Sequence, residues 1–212
     1  MLPPLTNQSP SVASAVTYSK KFKLLNFARE SIKEPASTGA VAPSSRFVVN
    51  KVVDLADLPS ANTVVELGPG TGVFTAQIQK QLTDDATFFA LELNKTFVDA
   101  TRKRCPETKV YHDSAEQLQK YLLKHNKQQC DRIICSLPWT IFENSEQDRL
   151  LDTIAASLKP GGKFISIVYL GAKARARGRY FIHSLPLHFQ QIEKSGTIWQ
   201  NLPPTQIYCC SN

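Results

Sequence analysis

The sequence predicts an α/β protein whose seven-stranded, mostly parallel sheet closes with a C-terminal antiparallel hairpin. Three observations carry that prediction. From about residue 61, β-rich apolar runs alternate with segments of helical spacing, the pattern of a parallel sheet covered on both faces. The last two extended stretches, 190–199 and 205–210, are separated only by Gln200-Asn201-Leu202-Pro203-Pro204, too short for a crossover helix, so they pair antiparallel. A chain of 212 residues, 42% of them hydrophobic, suits a single core.

Taken in order, the parallel strands fall at 63–67, 87–91, 109–112, 131–136 and 163–169. Helical composition and apolar spacing place helices at 71–82, 94–104, 115–126 and 146–158. Pro160-Gly161-Gly162 marks a turn after the last of these, with a strand directly behind it. Upstream, 19–34 reads as an amphipathic helix: Phe22, Leu25, Arg29 and Ile32 share a face that Leu24, Phe27 and Ala28 widen, and Pro35 ends it. Residues 1–18 read as a flexible tail, too interrupted by Pro3, Pro4 and Pro10 to span a membrane and without the basic and apolar regions of a signal peptide. The expected organisation is this tail, an N-terminal segment over 19–60, and one domain over 61–212.

The net charge of +7 is concentrated in two places. Residues 19–34 hold five basic and two acidic side chains, and 171–179 hold four basic and none acidic, so the rest of the chain balances. Five cysteines without a C-x-x-C pair and four scattered histidines offer no metal-ligand spacing, which points to a reduced compartment and no structural zinc.

The first strand runs into Glu66-Leu67-Gly68-Pro69-Gly70-Thr71-Gly72. Its glycines let the backbone turn sharply and approach a ligand at a helix start, or merely connect strand to helix. Glu92, followed by Leu93, ends the second strand about twenty residues beyond the loop, where a carboxylate accepts from ribose hydroxyls. Asp113-Ser114 after the third strand is placed to bind an adenine edge, and equally to cap the next helix. The spacing G-x-G-x-G, the acidic Glu66 before it and the terminal hairpin argue against a dinucleotide oxidoreductase. They fit the Rossmann-like class I methyltransferase architecture, with S-adenosyl-L-methionine as cofactor and Glu66 near its ammonium group.

The fourth strand ends Cys135-Ser136-Leu137-Pro138-Trp139. Methyltransferases that attack an amino nitrogen resemble this turn. Ser136 and the Leu137 carbonyl are candidates to accept from the attacking amine, Pro138 stiffens the loop, and Trp139 either offers a π face to a cation or packs as a buried aromatic. Together with Gly39-Ala40-Val41-Ala42-Pro43-Ser44-Ser45-Arg46, these motifs resemble the bacterial phospholipid N-methyltransferases of the soluble-fold type, a family similar to the ribosomal RNA adenine dimethylases. The resemblance covers residue 19 to the end of the chain.

It implies methyl transfer to phosphatidylethanolamine, toward phosphatidylcholine, by a cytoplasmic enzyme peripherally attached to the membrane. Its implied partners are the phospholipid and an anionic membrane surface met by the basic helix over 19–34, whose lysines are otherwise simply solvated. Arg46, Arg177 and Arg179 are candidate ligands of the head-group phosphate, in competition with a solvated basic loop. Tyr18, Tyr169 and Tyr180 are candidate contacts of the head group. Three other functions compete: an ornithine-lipid N-methyltransferase, an rRNA adenine dimethylase and a non-catalytic membrane-binding protein. The RNA reading expects a C-terminal helical domain after the hairpin, and no nucleic-acid partner is expected.

Overall fold

The structure is a computed structural model that describes residues 44–212. The tail with Tyr18, the predicted helix over 19–34 and residues 39–43 of the motif ending at Arg46 lie outside the described residues.

A helix, α1 (Arg46–Ala56), comes first, followed by β1 (Thr63–Leu67), α2 (Val73–Gln81), β2 (Thr87–Glu92), α3 (Lys95–Arg104), β3 (Lys109–His112) and α4 (Leu118–Lys124). The chain continues through β4 (Cys130–Cys135), α5 (Asn144–Ser157), β5 (Leu158–Tyr169), α6 (Ala176–His188), β6 (Gln191–Lys194) and β7 (Thr205–Ser211). The strands form one sheet in the order β3-β2-β1-β4-β5-β7-β6. Only β7 runs against its neighbours, so the predicted parallel sheet with an antiparallel end is borne out.

Every residue of β1 is buried, as a central strand covered on both faces requires. Alternate residues divide between two cores. Val64, Ile134, Ile165 and Ile207 pack with Val48, Val49, Val52 and Ala56 of α1. Val65, Ile133 and Phe164 face the other way, onto Leu118 and Leu122 of α4, Leu150, Leu151 and Ile154 of α5, and Phe181 and Leu185 of α6.

The structure refines the predicted elements in three places. The stretch 46–56, grouped by sequence with the N-terminal segment, is a helix packed on the sheet. Its last carbonyl, that of Ala56, accepts from the buried Arg132 Nε, and Lys163 Nζ donates to the Leu55 carbonyl at 3.1 Å. These cations sit at the negative end of the helix dipole. Pro160-Gly161-Gly162 does not separate helix from strand: β5 already pairs with Cys130 at Leu158, and the irregularity is absorbed as a register shift between Cys130 and Arg132. Finally, the basic run over 171–179, read from sequence as a loop, spans a 3-10 turn (Leu170–Ala174) and the start of α6.

All five cysteines are unpaired and buried. Among the described residues, no helix is long and apolar enough to cross a membrane.

Gly178 fixes how α6 meets that turn, because a Cβ there would lie 2.1 Å from the Ala172 carbonyl oxygen. Gly178→Ala is expected to cost roughly 1–3 kcal/mol, measured by urea unfolding. An unchanged midpoint would mean that the turn yields freely.

Candidate functional site

Because β1, β2, β4 and β5 are parallel, their carboxyl ends lie along one edge, where ligands bind in open α/β sheets. The glycine loop stands at the centre of that edge. Gly68 N–H donates to the Leu91 carbonyl at 2.9 Å, and Ser136 N–H to the Leu67 carbonyl at 3.0 Å, so the loop and the Ser136 turn continue the sheet's registration. Gly68 has a φ of +74°, and a Cβ on it would meet Leu137 Cδ2 at 3.0 Å. Gly72, at +78°, precedes α2. Pro69 lies between them and accepts from the Gly72 N–H at 2.9 Å.

Two carboxylates support the loop from below and beside it. Glu66 is completely buried; Thr75 Oγ1 donates to its Oε2 at 2.6 Å, while Oε1 has no hydrogen-bond partner. Burial pushes its pKa from the ordinary 4.5 up to about 8, opposed by the Thr75 bond and helped by the charge of Glu92. Glu92 accepts from the Gly70 N–H at 3.2 Å and the Asn94 N–H at 2.8 Å. Burial raises its pKa too, and those backbone donors moderate the rise. Leu93 follows, its carbonyl accepting from His112 Nε2 at 3.0 Å.

Asp113 accepts from the Ser114 N–H at 2.8 Å, Lys120 Nζ at 3.0 Å and Tyr121 Oη at 2.9 Å. Burial works against its charge, yet these bonds outweigh burial and hold its pKa below the ordinary value. Ser114 Oγ accepts from the Glu116 N–H, so this side chain performs the helix-start role. The pair stands next to Glu92 along the edge, since Asp113 N–H donates to the Glu92 carbonyl.

Ser136 brings the acceptor turn to the loop with a buried Oγ that has no partner. The Leu137 carbonyl accepts from the Trp139 N–H at 3.0 Å, leaving one lone pair. Trp139 does not face a ligand. It is 4% exposed, stacks on Phe181 at 4.1 Å between centroids, and donates from Nε1 to Ser166 Oγ. The expected π contact with a cation is therefore corrected: both its large face and its polar edge are used in the core.

The other expected substrate contacts are likewise engaged. Arg177 pairs with Glu143 at 2.5 Å, and Arg179 donates from Nη1 to the Ala174 carbonyl at 3.0 Å. Tyr180 donates to Asp148 across α5 and α6. Tyr169 is held by Ser44 at the end of β5, and burial drives its pKa up. Arg46 is exposed at the start of α1, over the Phe47 ring at 5.1 Å. Tyr18 lies outside the described residues.

Sequence reasoning did not find Thr75, Thr101 or Gln147. Thr101 donates to the Gly70 carbonyl at 2.7 Å. Gln147 is fully buried, and its Nε2 lies within donating distance of the Trp139, Phe142 and Arg177 carbonyls at 2.8, 3.3 and 3.1 Å. A hydroxyl or amide on the inner face of a helix carries no motif that would reveal it.

Glu66 Oε1 and Ser136 Oγ are buried acceptors lacking donors, and unpaired buried polar atoms are costly. A ligand with an ammonium group and hydroxyls supplies donors, so the residues fit S-adenosyl-L-methionine.

Two expectations follow. Glu66 has its pKa raised on folding, so its contribution to stability is full below about 4.5 and is lost as pH rises toward about 8. Glu66→Gln should flatten this dependence of Tm between those limits in ligand-free protein, and identical slopes would refute the burial argument. Trp139→Ala should cost about 3–5 kcal/mol as a core truncation, whereas Trp139→Phe should keep most turnover per folded molecule; loss of turnover at unchanged stability would restore a substrate role.

Comparison with known proteins agrees with this geometry. Residues 64–162 match the family model described as a methyltransferase domain. An ornithine lipid N-methyltransferase from Singulisphaera acidiphila is 26% identical over 181 residues, covering 84% of this chain and 90% of that protein. A mitochondrial ribosomal RNA small subunit methyltransferase from Arabidopsis thaliana is 32% identical over 97 residues, but these are 44% of this chain and 24% of the plant protein. The fold is shared with the N-methyltransferase NodS from Bradyrhizobium japonicum, at TM-score 0.63 and 13% identity over 79% of this chain and 95% of that one. It is also shared with a SAM-dependent O-methyltransferase from Thermotoga maritima, at TM-score 0.61 and 11% identity over 87% and 71%. The sheet thus has the class I methyltransferase fold, residues 64–162 match a methyltransferase domain, and the cofactor of that domain is S-adenosyl-L-methionine.

Proposed function

We propose that the chain is an N-methyltransferase of a lipid head-group amine. The observation that carries this reading is Ser136, a buried hydroxyl without a partner at the end of β4, in a turn whose next residue touches the cofactor loop at Gly68. The bound cofactor supplies a methyl group on a sulfonium centre. Ser136 Oγ and the remaining lone pair of the Leu137 carbonyl accept from the amine and aim its nitrogen, while Pro138 restricts the turn. The amine must be neutral to attack, and a primary amine has a pKa near ~10 by analogy with lysine.

Two lipids are in play. Phosphatidylethanolamine is the acceptor that the sequence resemblance implies. Ornithine lipid is supported by the relative that aligns along most of both chains. On this reading the basic stretch over 19–34 attaches the enzyme peripherally to anionic membrane.

The test is methyl transfer from labelled S-adenosylmethionine to liposomes holding phosphatidylethanolamine, ornithine lipid and an anionic lipid, with products identified by mass spectrometry. Label is expected on a lipid amine and lost in Glu92→Ala. Ser136→Ala should lower kcat roughly 10- to 100-fold, the worth of one hydrogen bond to the reacting group, with little change in cofactor KM. Label on neither lipid, and on RNA instead, would overturn the reading.

A further inference from the structure

Three large apolar side chains stand exposed at the edge that holds the site. Trp199 is 69% exposed and Leu202 79%, both in the loop between β6 and β7, and Phe47 is 45% exposed in the first turn of α1. Their placement follows from the sheet. Tyr169 ends β5 opposite Thr205, so the loop before β7 emerges at the carboxyl end of β5, on the same edge as the glycine loop and Ser136.

The loop is also tied down. Asn201, only 2% exposed, accepts from the Ser45 N–H at 2.8 Å and donates to the Pro203 carbonyl and Thr205 Oγ1. Leu170 N–H donates to the Pro204 carbonyl at 2.8 Å. The buried Asn201 amide thus joins the start of α1 to the loop, and the Leu170–Pro204 backbone bond joins the loop to the segment leading into α6. Trp199 and Leu202 flank this anchored residue and are held outward on a fixed base.

Charge decides what they meet. The three segments that converge here, 44–50, 170–180 and 195–205, carry Arg46, Lys173, Arg175, Arg177 and Arg179 and no acidic residue. Arg177 is neutralised by Glu143 from outside them. Among the described residues, the other exposed large apolar side chains, Leu123 and Leu187, lie near the ends of α4 and α6, away from this cluster. Apolar tips with an amphipathic tryptophan, joined to segments whose charged residues are all basic, complement the boundary between anionic head groups and acyl chains.

We propose that Trp199, Leu202 and Phe47 form a membrane-docking surface that seats the open edge of the sheet on an anionic bilayer. This deepens the lipid-amine reading and rests on it for its purpose: the acceptor turn then faces the head groups, and a lipid amine reaches Ser136 without leaving its leaflet. It is distinct from attachment through residues 19–34, because it fixes the orientation of the catalytic edge.

Trp139 is buried and Trp199 exposed, so Trp199 emission reports on this surface. The full chain is mixed, without cofactor, with vesicles of phosphatidylglycerol and phosphatidylcholine, some containing brominated acyl chains, and Trp199→Phe provides the Trp139 background. A water-like emission in buffer, a blue shift with vesicles and quenching by brominated lipid are expected. The double variant Trp199→Ala/Leu202→Ala should partition onto vesicles roughly tenfold or more weakly, yet still methylate the same lipid dispersed in detergent micelles.

Pelleting with vesicles without a shift or quenching would overturn the proposal, as would no pelleting at all. Emission already blue in buffer, or blue-shifting with protein concentration, would assign the surface to the chain's own segment or to a second copy. A shift with single-stranded RNA but not with vesicles would assign it to nucleic acid. Quenching is read without methyl transfer, so insertion with no labelled lipid would sink the functional reading alone. Labelled lipid without insertion would sink the docking surface alone.

Discussion

Parallel pairing on both sides of β1 brings three strand ends to one edge, and two backbone bonds extend that alignment past the sheet into the loops. Gly68 hangs from Leu91 and Ser136 from Leu67, so the glycine loop and the Ser136 turn are placed by the hydrogen bonding that defines the strands. The site inherits the rigidity of the sheet. The side-chain bonds to Gly70, from Glu92 to its N–H and from Thr101 to its carbonyl, then fix a loop whose ends are already held.

The electrostatics of this edge are costly for the empty protein. Glu66 and Glu92 share a confined space, and burial disfavours the charge of each. Glu92 is compensated by backbone N–H groups, Glu66 by one hydroxyl. The site therefore holds unmet demand for a donor at Glu66 Oε1, which the ammonium group of a ligand supplies. Asp113 differs, since Lys120 and Tyr121 already balance it.

Much of the fold was legible because its signals are local. The apolar runs at 63–67 and 109–112 coincide with β1 and β3, and the glycine spacing marked the loop. What escaped was decided by partners distant in sequence. Trp139 looks the same in sequence whether it faces a ligand or Phe181, 42 positions later. Arg177 looks free until folding brings Glu143 beside it. The helix α6 was hidden by its basic start, by Gly178 and by Pro186, residues that weaken helical patterning but here serve packing and the last turn.

The unpaired cysteines give the sheet a chemical memory. Burial pushes the thiols of Cys130, Cys135 and Cys210 up to about 12, so almost none is thiolate at neutral pH. The adjacent Cys209 and Cys210 belong to different cores, on opposite faces of β7. The sheet itself therefore separates two neighbouring sulfurs that the unfolded chain leaves free to react. Oxidation or alkylation at these positions records an opening of the strands, and at Cys135 it leaves a mark one residue from Ser136. A molecule that has once opened under oxidising conditions carries the damage next to the Ser136 turn.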